Sequence, residues 1–449
     1  MLKAITQKIQ LAFANDGGDR SLKSKLIKGA AGSFGIKIAT SGLGFITSIV
    51  FARFLGTAGL GTYAYAISWA NLLSIPATLG FDQLIVREIA VYRARSQWSL
   101  MRGLISWSNL MVLGSSVALT IVAIAVVWIL PGNLEPNLAI AITLAMITVP
   151  IASLRNLRMG AMKGLHHVVL GEIPDALIAP TIVVCLTCAV YLLFPDSNVY
   201  WVLGIKIFAI AISFVIGILW LRRSLPLEVR RVGSEYQSKQ WLSAALPFMF
   251  LGTTHLINSR IDVLMLGAIR GVEAVGIYTI IAAITKLTIF IHQAVNSVLA
   301  PTIATLYSEN KLQQLERIIR KSVLIVFSIS LLIGVTMIVM GKYLLLIFGS
   351  EFVPGQTAMS ILIIGQIFNA LTGPVGLVLN MTGHQNYTAI TLGTTAVLNI
   401  VLNATFIPLW GINGAAIATT ISLILTNILN VIFLQKTLNI FLFSFKLKN

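Results

Sequence analysis

SRIDVLMLGAIRGVEAVGIY, residues 259–278, places Arg260 and Asp262 inside an apolar run that ends in a glycine-containing turn. A charged side chain at mid-membrane costs about 2.5 to 3.5 kcal/mol, so it usually faces a bundle interior or a water-filled cavity. The stretch therefore predicts a membrane helix with a functional polar face.

The end of this stretch repeats an earlier part of the chain. Gly56, Gly61 and Tyr63 in LGTAGLGTY recur in RGVEAVGIY, each 215 residues later, so that Gly56 corresponds to Gly271. The offset is the length of six predicted helices with their loops, and because six is even, both halves enter the membrane in the same direction. Parallel repeats of this kind place a substrate site between the halves.

Composition also indicates a membrane protein. Of 449 residues, 57% are apolar and only 10% are charged, whereas about a quarter of the residues of a soluble domain are charged. The net charge of +17 comes from basic residues in short loops, which is a topology signal and argues against nucleic acid as a partner. The first 28 residues are polar and basic, so no cleavable signal peptide is expected.

A spanning helix needs about 20 mainly apolar residues, and this rule predicts twelve helices in the chain. They begin near residues 30, 60, 103, 136, 174, 199, 241, 275, 322, 356, 385 and 413. Of the 32 Lys and Arg residues, 25 fall in segments on the side of the N-terminus, which predicts that both termini are cytoplasmic.

The predicted fold is all-α and polytopic, with two parallel six-helix bundles around a central cavity. Its predicted parts are a basic N-terminal segment (1–28), the first bundle (29–221), a basic cytoplasmic linker (222–240), the second bundle (241–435) and a cytoplasmic tail (436–449).

Polar side chains form stripes on three predicted helices. On the seventh, His255, Asn258 and Asp262 share one face, and Arg260 points away from Asp262 because positions i and i+2 do not meet. The eighth carries Lys286 beside a stripe of Thr285, Thr288, His292 and Asn296. The first has a small-residue face that includes Lys37, Thr40 and Ser41.

Each of these features also has a structural interpretation. Ser and Thr in membrane helices often serve as packing contacts, and Lys37 and Lys206 are near enough to a membrane surface to snorkel. Cys185 and Cys188 lie in an apolar helix without other metal-ligand types, which favours packing. Glu172 and Asp175 are interpreted as the acidic first turn of a helix.

Four segments together resemble one known family. They are FARFLGTAGLGTYAYAIS, SRIDVLMLGAIRGVEAVGIYTIIAAITKL, VLAPTIATLYSENKLQQLERIIRK and VLNATFIPLWGINGAAIATTIS. The chain resembles the polysaccharide-transporter branch of the multidrug/oligosaccharidyl-lipid/polysaccharide exporters. This resemblance implies alternating access in a bacterial or archaeal plasma membrane, with a polyprenyl-pyrophosphate-linked glycan moved outward.

The residues agree with an anionic substrate, because Lys and Arg are the natural partners of pyrophosphate and Asp262 is the one acid that the sequence places clearly inside a span. The side chains expected to bind the substrate are Arg260, Lys286, Lys37, Arg53 and Asn258. Those expected to gate or couple transport are Asp262, His255 and His292. Moving two negative charges outward from a negative interior gains about 4 to 5 kcal/mol per 100 mV of membrane potential. Coupling to H⁺ or Na⁺ is therefore possible but not required, and no cofactor is expected.

Two other functions compete with this interpretation. A cation-coupled multidrug antiporter of the same superfamily would be expected to use acidic residues, yet the first helix offers Lys37 and no carboxylate. A membrane enzyme acting on glycans commonly uses paired carboxylates, whereas the acids of the predicted outer loops occur singly. These acids are Glu135, Asp196, Glu273 and Glu351.

Overall fold

The computed structural model describes residues 20–129, 135–194, 198–438 and 440, and every regular element in these ranges is a helix. The first half contains α1 (Arg20–Ala77), α2 (Phe81–Ala94), α3 (Trp98–Ile129), α4 (Pro136–Met146), α5 (Thr148–Gly164), α6 (Val168–Ile173), α7 (Ala179–Leu193) and α8 (Val199–Ser224). The short α9 (Leu227–Arg231) lies in the linker. The second half contains α10 (Ser238–Arg270), α11 (Val272–Ser308), α12 (Leu312–Val339), α13 (Gly341–Leu346), α14 (Gln356–Thr372), α15 (Val375–Met381) and α16 (Gln385–Leu438).

Two glycines divide the longest helices. Gly56 within α1 has φ 64° and Gly411 within α16 has φ 55°, a region of backbone conformation that glycine adopts without a steric penalty. The chain reverses at each of these positions, so α1 and α16 each provide two membrane crossings. Both turns fall where the sequence predicts them.

The number of crossings agrees with the sequence. Length and composition qualify eight of the described helices as spans, together with a pair, Ser350–Thr372 and Val375–Met381, that bends by 45°. The 33-residue α10 is also long enough to cross but carries Arg260 and Asp262. With α10 and the two crossings each of α1 and α16, the described part of the chain has twelve spans, which confirms the prediction of about twelve.

The fifth span begins earlier than expected. The sequence predicts its start near residue 174, but the helix begins at Val168 and continues through a π-helical turn, Pro174–Ile178, into α7. A π turn inserts an extra residue into a helix and is frequent at functional sites. Pro174 therefore lies inside the span rather than at its N-terminus.

The two halves meet most closely where the repeated turns cross. A Cβ added at Gly61 would lie 1.7 Å from the carbonyl oxygen of Val272, and one added at Gly276 would lie 2.0 Å from that of Thr57. Small residues let membrane helices approach closely, and this packing drives their association in lipid. We call the side on which α1 begins the inner side; the crossing closes the opposite, outer side.

The inner side is closed on one flank and loosely packed on another. A Cβ at Gly80 would lie 2.2 Å from the carbonyl oxygen of Ala245, so the loop after α1 lies directly against α10. By contrast, no described atom lies within 4 Å of a Cβ added at Gly35, Gly42 or Gly44. The inner half of α1 is therefore loosely packed and largely exposed.

Candidate substrate-binding site

A buried tyrosine holds the acid of α10. Tyr278, which is 1% exposed, donates its hydroxyl hydrogen bond to Oδ2 of Asp262 at 2.8 Å, and its oxygen lies 3.4 Å from Oγ1 of Thr419. The other carboxylate oxygen, Oδ1, accepts from the amide of Val263 at 2.8 Å. The glycine turn that joins α10 to α11 brings these two side chains together.

Two cations lie around this carboxylate. Arg260 and Lys286 are both within electrostatic range of Asp262, and they are within range of each other. Arg260 is also within range of Tyr63 in the other half. Arg260 therefore lies near the first half, and Lys286 lies near the charged pair of positions on α10.

Neither cation has an ion-pair partner in the part of the chain that the structure describes. Among the described residues, no carboxylate lies within 4.0 Å of Arg260 or Lys286, as expected for Arg260 and Asp262 two positions apart. Lys286 is exposed and Arg260 is half-buried. The second half therefore contributes two cations and one carboxylate, and their net positive charge can attract an anion.

In the first half, Lys37 lies on the loosely packed inner half of α1. Its side chain is exposed and makes no ion pair within the described ranges. One turn on, the hydroxyl of Thr40 donates to the carbonyl of Ile36 at 2.7 Å and lies 3.4 Å from that of Ala176 in the π turn. The helix that carries Lys37 therefore touches the fifth span at its irregular turn.

Two of the predicted substrate-binding residues have main-chain partners. Nε and Nη2 of Arg53 donate to the carbonyls of Ile347 and Leu346, each at 2.9 Å, which ties the outer end of the first span to the second half. Nδ2 of Asn258 donates to the carbonyl of Leu392 at 3.0 Å. Their roles in substrate binding stay predictions.

The predicted stripe on α11 contains two buried threonines and a histidine with a buried ring nitrogen. Thr285 and Thr288 are buried and donate to carbonyls of their own helix at 2.8 and 2.7 Å, so they are packing contacts. Nδ1 of His292 is buried and has no hydrogen-bond partner among the described residues. The side chain of His255 lies outside the described part of the structure, and the gating roles of both histidines stay predictions.

The sequence interpretation of two acids is wrong. Glu172 and Asp175 do not form a first turn, because Asp175 lies in the π turn and pairs with Arg158, which is 3% exposed, while Glu172 pairs with Lys163 at 3.5 Å. Both acids thus lie inside the fifth span, in addition to Asp262 in the seventh. Two features of the sequence could have indicated this pairing. Arg155 and Arg158 lie three positions apart on the preceding helix, and Asp175 immediately follows a proline.

The fold and this site define a membrane transporter built from two parallel six-helix bundles. Residues 26–307 match the family described as polysaccharide biosynthesis protein, and residues 247–405 match the MatE family. The chain belongs to the polysaccharide biosynthesis protein family, within the superfamily of multidrug/oligosaccharidyl-lipid/polysaccharide exporters.

A curated relative supports the same family. The chain is 28% identical over 184 residues to "Probable low-salt glycan biosynthesis flippase Agl15" of Haloferax volcanii, a match covering 40% of this chain and 39% of the relative. The matched segment therefore spans about two fifths of that protein's length.

Solved structures show the fold. An inward-facing multidrug resistance MATE family transporter matches with a TM-score of 0.75 and 14% identity, over 89% of this chain and 94% of its own. The lipid II flippase MurJ in an inward closed conformation matches with a TM-score of 0.71 and 12% identity, over 89% of this chain and 87% of its own. At these identities the likeness concerns the fold alone.

Proposed function

We propose that the protein is a flippase that moves a polyprenyl-pyrophosphate-linked oligosaccharide or polysaccharide precursor outward across the plasma membrane by alternating access. Both termini are cytoplasmic, and the protein carries out no covalent chemistry on the glycan. The observation that carries the proposal is that Arg260 and Lys286, two cations near each other, have no ion-pair partner among the described residues.

The chemistry of the head group fits this site. Cations within a membrane span are costly unless they face water or an anion compensates them. A pyrophosphate offers several acceptor oxygens, to which an Arg fork binds through two parallel hydrogen bonds and a Lys binds as a point charge. The carboxylate of Asp262 limits the positive charge of the empty site and lies close enough to repel the bound anion.

The packing supports loading from the inner side. The outer side is closed by the Gly61–Gly276 crossing and by the hydrogen bonds of Arg53, while the inner half of α1 is exposed. Lys37 lies on that exposed half of α1, and we expect it to add a cation from the first half to the site. Contacts that differ between inward-open and outward-open states are what a substrate needs to shift such an equilibrium.

The test is a flipping assay in proteoliposomes with a fluorescent oligosaccharide linked to polyprenyl pyrophosphate. Arg260→Gln and Lys286→Gln should each slow flipping at least tenfold, while Lys342→Gln, an exposed cation on α13, should leave it unchanged. Wild-type rates in both site variants would overturn the site assignment. Export of a cationic dye, without flipping of the lipid-linked glycan, would instead support the multidrug antiporter.

A further inference from the structure

A second charged cluster lies inside the first half, where α5, the π turn and α8 meet. Nη2 of Arg158 pairs with Oδ2 of Asp175, and the hydroxyl of Ser213 donates to Oδ1 at 2.7 Å. Arg155, one turn before Arg158, has its Nε 4.0 Å from the same carboxylate. Lys206 on α8 is within electrostatic range of Arg155 and Asp175.

The charges of this cluster do not balance. Arg158 and Asp175 compensate each other, and both oxygens of the carboxylate already accept a hydrogen bond. Arg155 and Lys206 are therefore two further cations that share no other acid within 4.0 Å in the described part of the chain. Two surplus positive charges in a membrane-embedded bundle are unfavourable unless an anion joins them.

Unsatisfied donors mark the same place. Nε of Arg155 and Nε and Nη1 of Arg158 are buried and have no hydrogen-bond partner within the described ranges, although the side chain of Arg158 is only 2% exposed. Buried guanidinium N–H groups are normally satisfied, so these donors are available to an anionic acceptor. Glycine at position 217 makes room for the guanidinium, since a Cβ there would lie 2.2 Å from Nη1 of Arg158.

Part of the cluster is exposed, next to the loosely packed inner half of α1. The side chain of Arg155 is 27% exposed, and Lys206 is half-buried. The π turn that carries Asp175 is covered by the loosely packed part of α1, where Thr40 approaches Ala176. Arg155 and Lys206 are therefore the members of the cluster that are not sealed in the interior of the bundle.

We propose that Arg155, Arg158 and Lys206 form a second anion-binding site, within the first half, that takes a phosphate group. Arginine forks favour oxyanions over halides because two oxygens accept parallel N–H bonds. The two surplus charges match the charge of about −1.5 to −2 on a phosphate monoester. The site is separate from the one at Arg260 and Lys286, and it stands whether or not the protein transports glycans.

The test uses the purified full-length protein in an uncharged detergent, titrated calorimetrically with inorganic phosphate. A second arm counts the molecules of phosphatidic acid, a lipid with a phosphate monoester head group, that are retained from zwitterionic nanodiscs by native mass spectrometry, which separates free phosphate from a lipid head group. The variants are Lys206→Gln and Arg155→Gln, which leave the Asp175–Arg158 pair intact. The matched control is Lys163→Gln, the same charge change on α5 at a cation that has its own partner, Glu172.

Saturable binding of one of the two probes should weaken at least tenfold in Lys206→Gln and Arg155→Gln. It should stay within threefold of wild type in Lys163→Gln and in the double variant Arg260→Gln/Lys286→Gln. The proposal is overturned if wild type binds neither probe, if Lys206→Gln and Arg155→Gln bind like wild type, or if the double variant loses binding equally. Melting temperatures of all variants identify any that fail to fold, and Arg155→Lys then replaces Arg155→Gln.

Discussion

The hydroxyl of Tyr278 donates a hydrogen bond to Oδ2 of Asp262 across 2.8 Å, which links the repeated tyrosine of the second half to the acid of α10. The equivalent tyrosine of the first half, Tyr63, has no such partner among the described residues. The glycine turn is therefore common to both halves, whereas the two tyrosines make different contacts.

This difference gives a paired prediction. Tyr278→Phe leaves a carboxylate oxygen of Asp262 without its donor, and the loss should lower the free energy of unfolding by about 1 to 3 kcal/mol. Tyr63→Phe should change it by less than about 0.5 kcal/mol. Thermal unfolding in detergent measures both, and equal destabilisation by the two variants would contradict this account of the tyrosines.

The crossing of the repeated turns gives a second prediction. Gly276→Ala forces a methyl group against the carbonyl oxygen of Thr57, 2.0 Å away, so it should destabilise the outer-closed state by about 1 to 3 kcal/mol. Gly114→Ala is the control, since nothing lies within 4 Å of a Cβ at that position.

The readout is the distance between spin labels placed near the Gly56 turn of α1 and on α13, together with the flipping rate. Gly276→Ala should increase the population with separated outer ends, and Gly114→Ala should not. Identical distance distributions in the two variants would show that the crossing does not hold the outer side closed.

Breaking the buried pair of the first half should be costly. Asp175→Asn leaves Arg158 buried without a counter-charge and should lower the unfolding free energy by about 3 to 5 kcal/mol. Glu172→Gln removes a partly exposed pair with Lys163 and should cost no more than about 1 kcal/mol. A mild effect of Asp175→Asn, similar to that of Glu172→Gln, would mean that the pair is solvated in the membrane.

Arg53 allows its structural and substrate roles to be separated. Because its guanidinium donates to the carbonyls of Ile347 and Leu346, Arg53→Gln should favour opening of the outer side without reducing the affinity for polyprenyl pyrophosphate. Labelling of a cysteine placed at Ser350 reports the opening, and Lys342→Gln is the control. A tenfold loss of affinity with unchanged labelling would instead support the predicted role in substrate binding.

Periodicity and glycine placement allowed the architecture to be predicted. Apolar length predicts the twelve spans, because the length of an apolar run is a local property of the sequence. The recurrence of the glycine turn, from Gly56 to Gly271, predicts the parallel repeat. The arrangement of Arg260, Lys286 and Asp262 near one another also follows, since α10 and α11 are neighbours joined by one tight turn.

Tertiary pairing was the part that the sequence did not reveal. Asp175 and Arg158 lie on different helices and meet only through the π turn, whose extra residue has no periodic signature. The positive-inside rule counts charges near helix ends and does not distinguish a loop from a helix interior, so it does not reveal that Arg155 and Arg158 lie within α5. The partners of Arg53 and Asn258 are distant main-chain carbonyls, which carry no sequence pattern.

The most direct test of the central claim measures how tightly the purified protein binds polyprenyl pyrophosphate, with wild type compared with the double variant Arg260→Gln/Lys286→Gln and with Lys342→Gln. Charge-assisted hydrogen bonds contribute about 1.5 to 3 kcal/mol each, so the double variant should bind at least a hundredfold more weakly, while Lys342→Gln binds like wild type. Equal affinity in all three proteins would contradict the assignment of Arg260 and Lys286 as the binding site for the anionic head group.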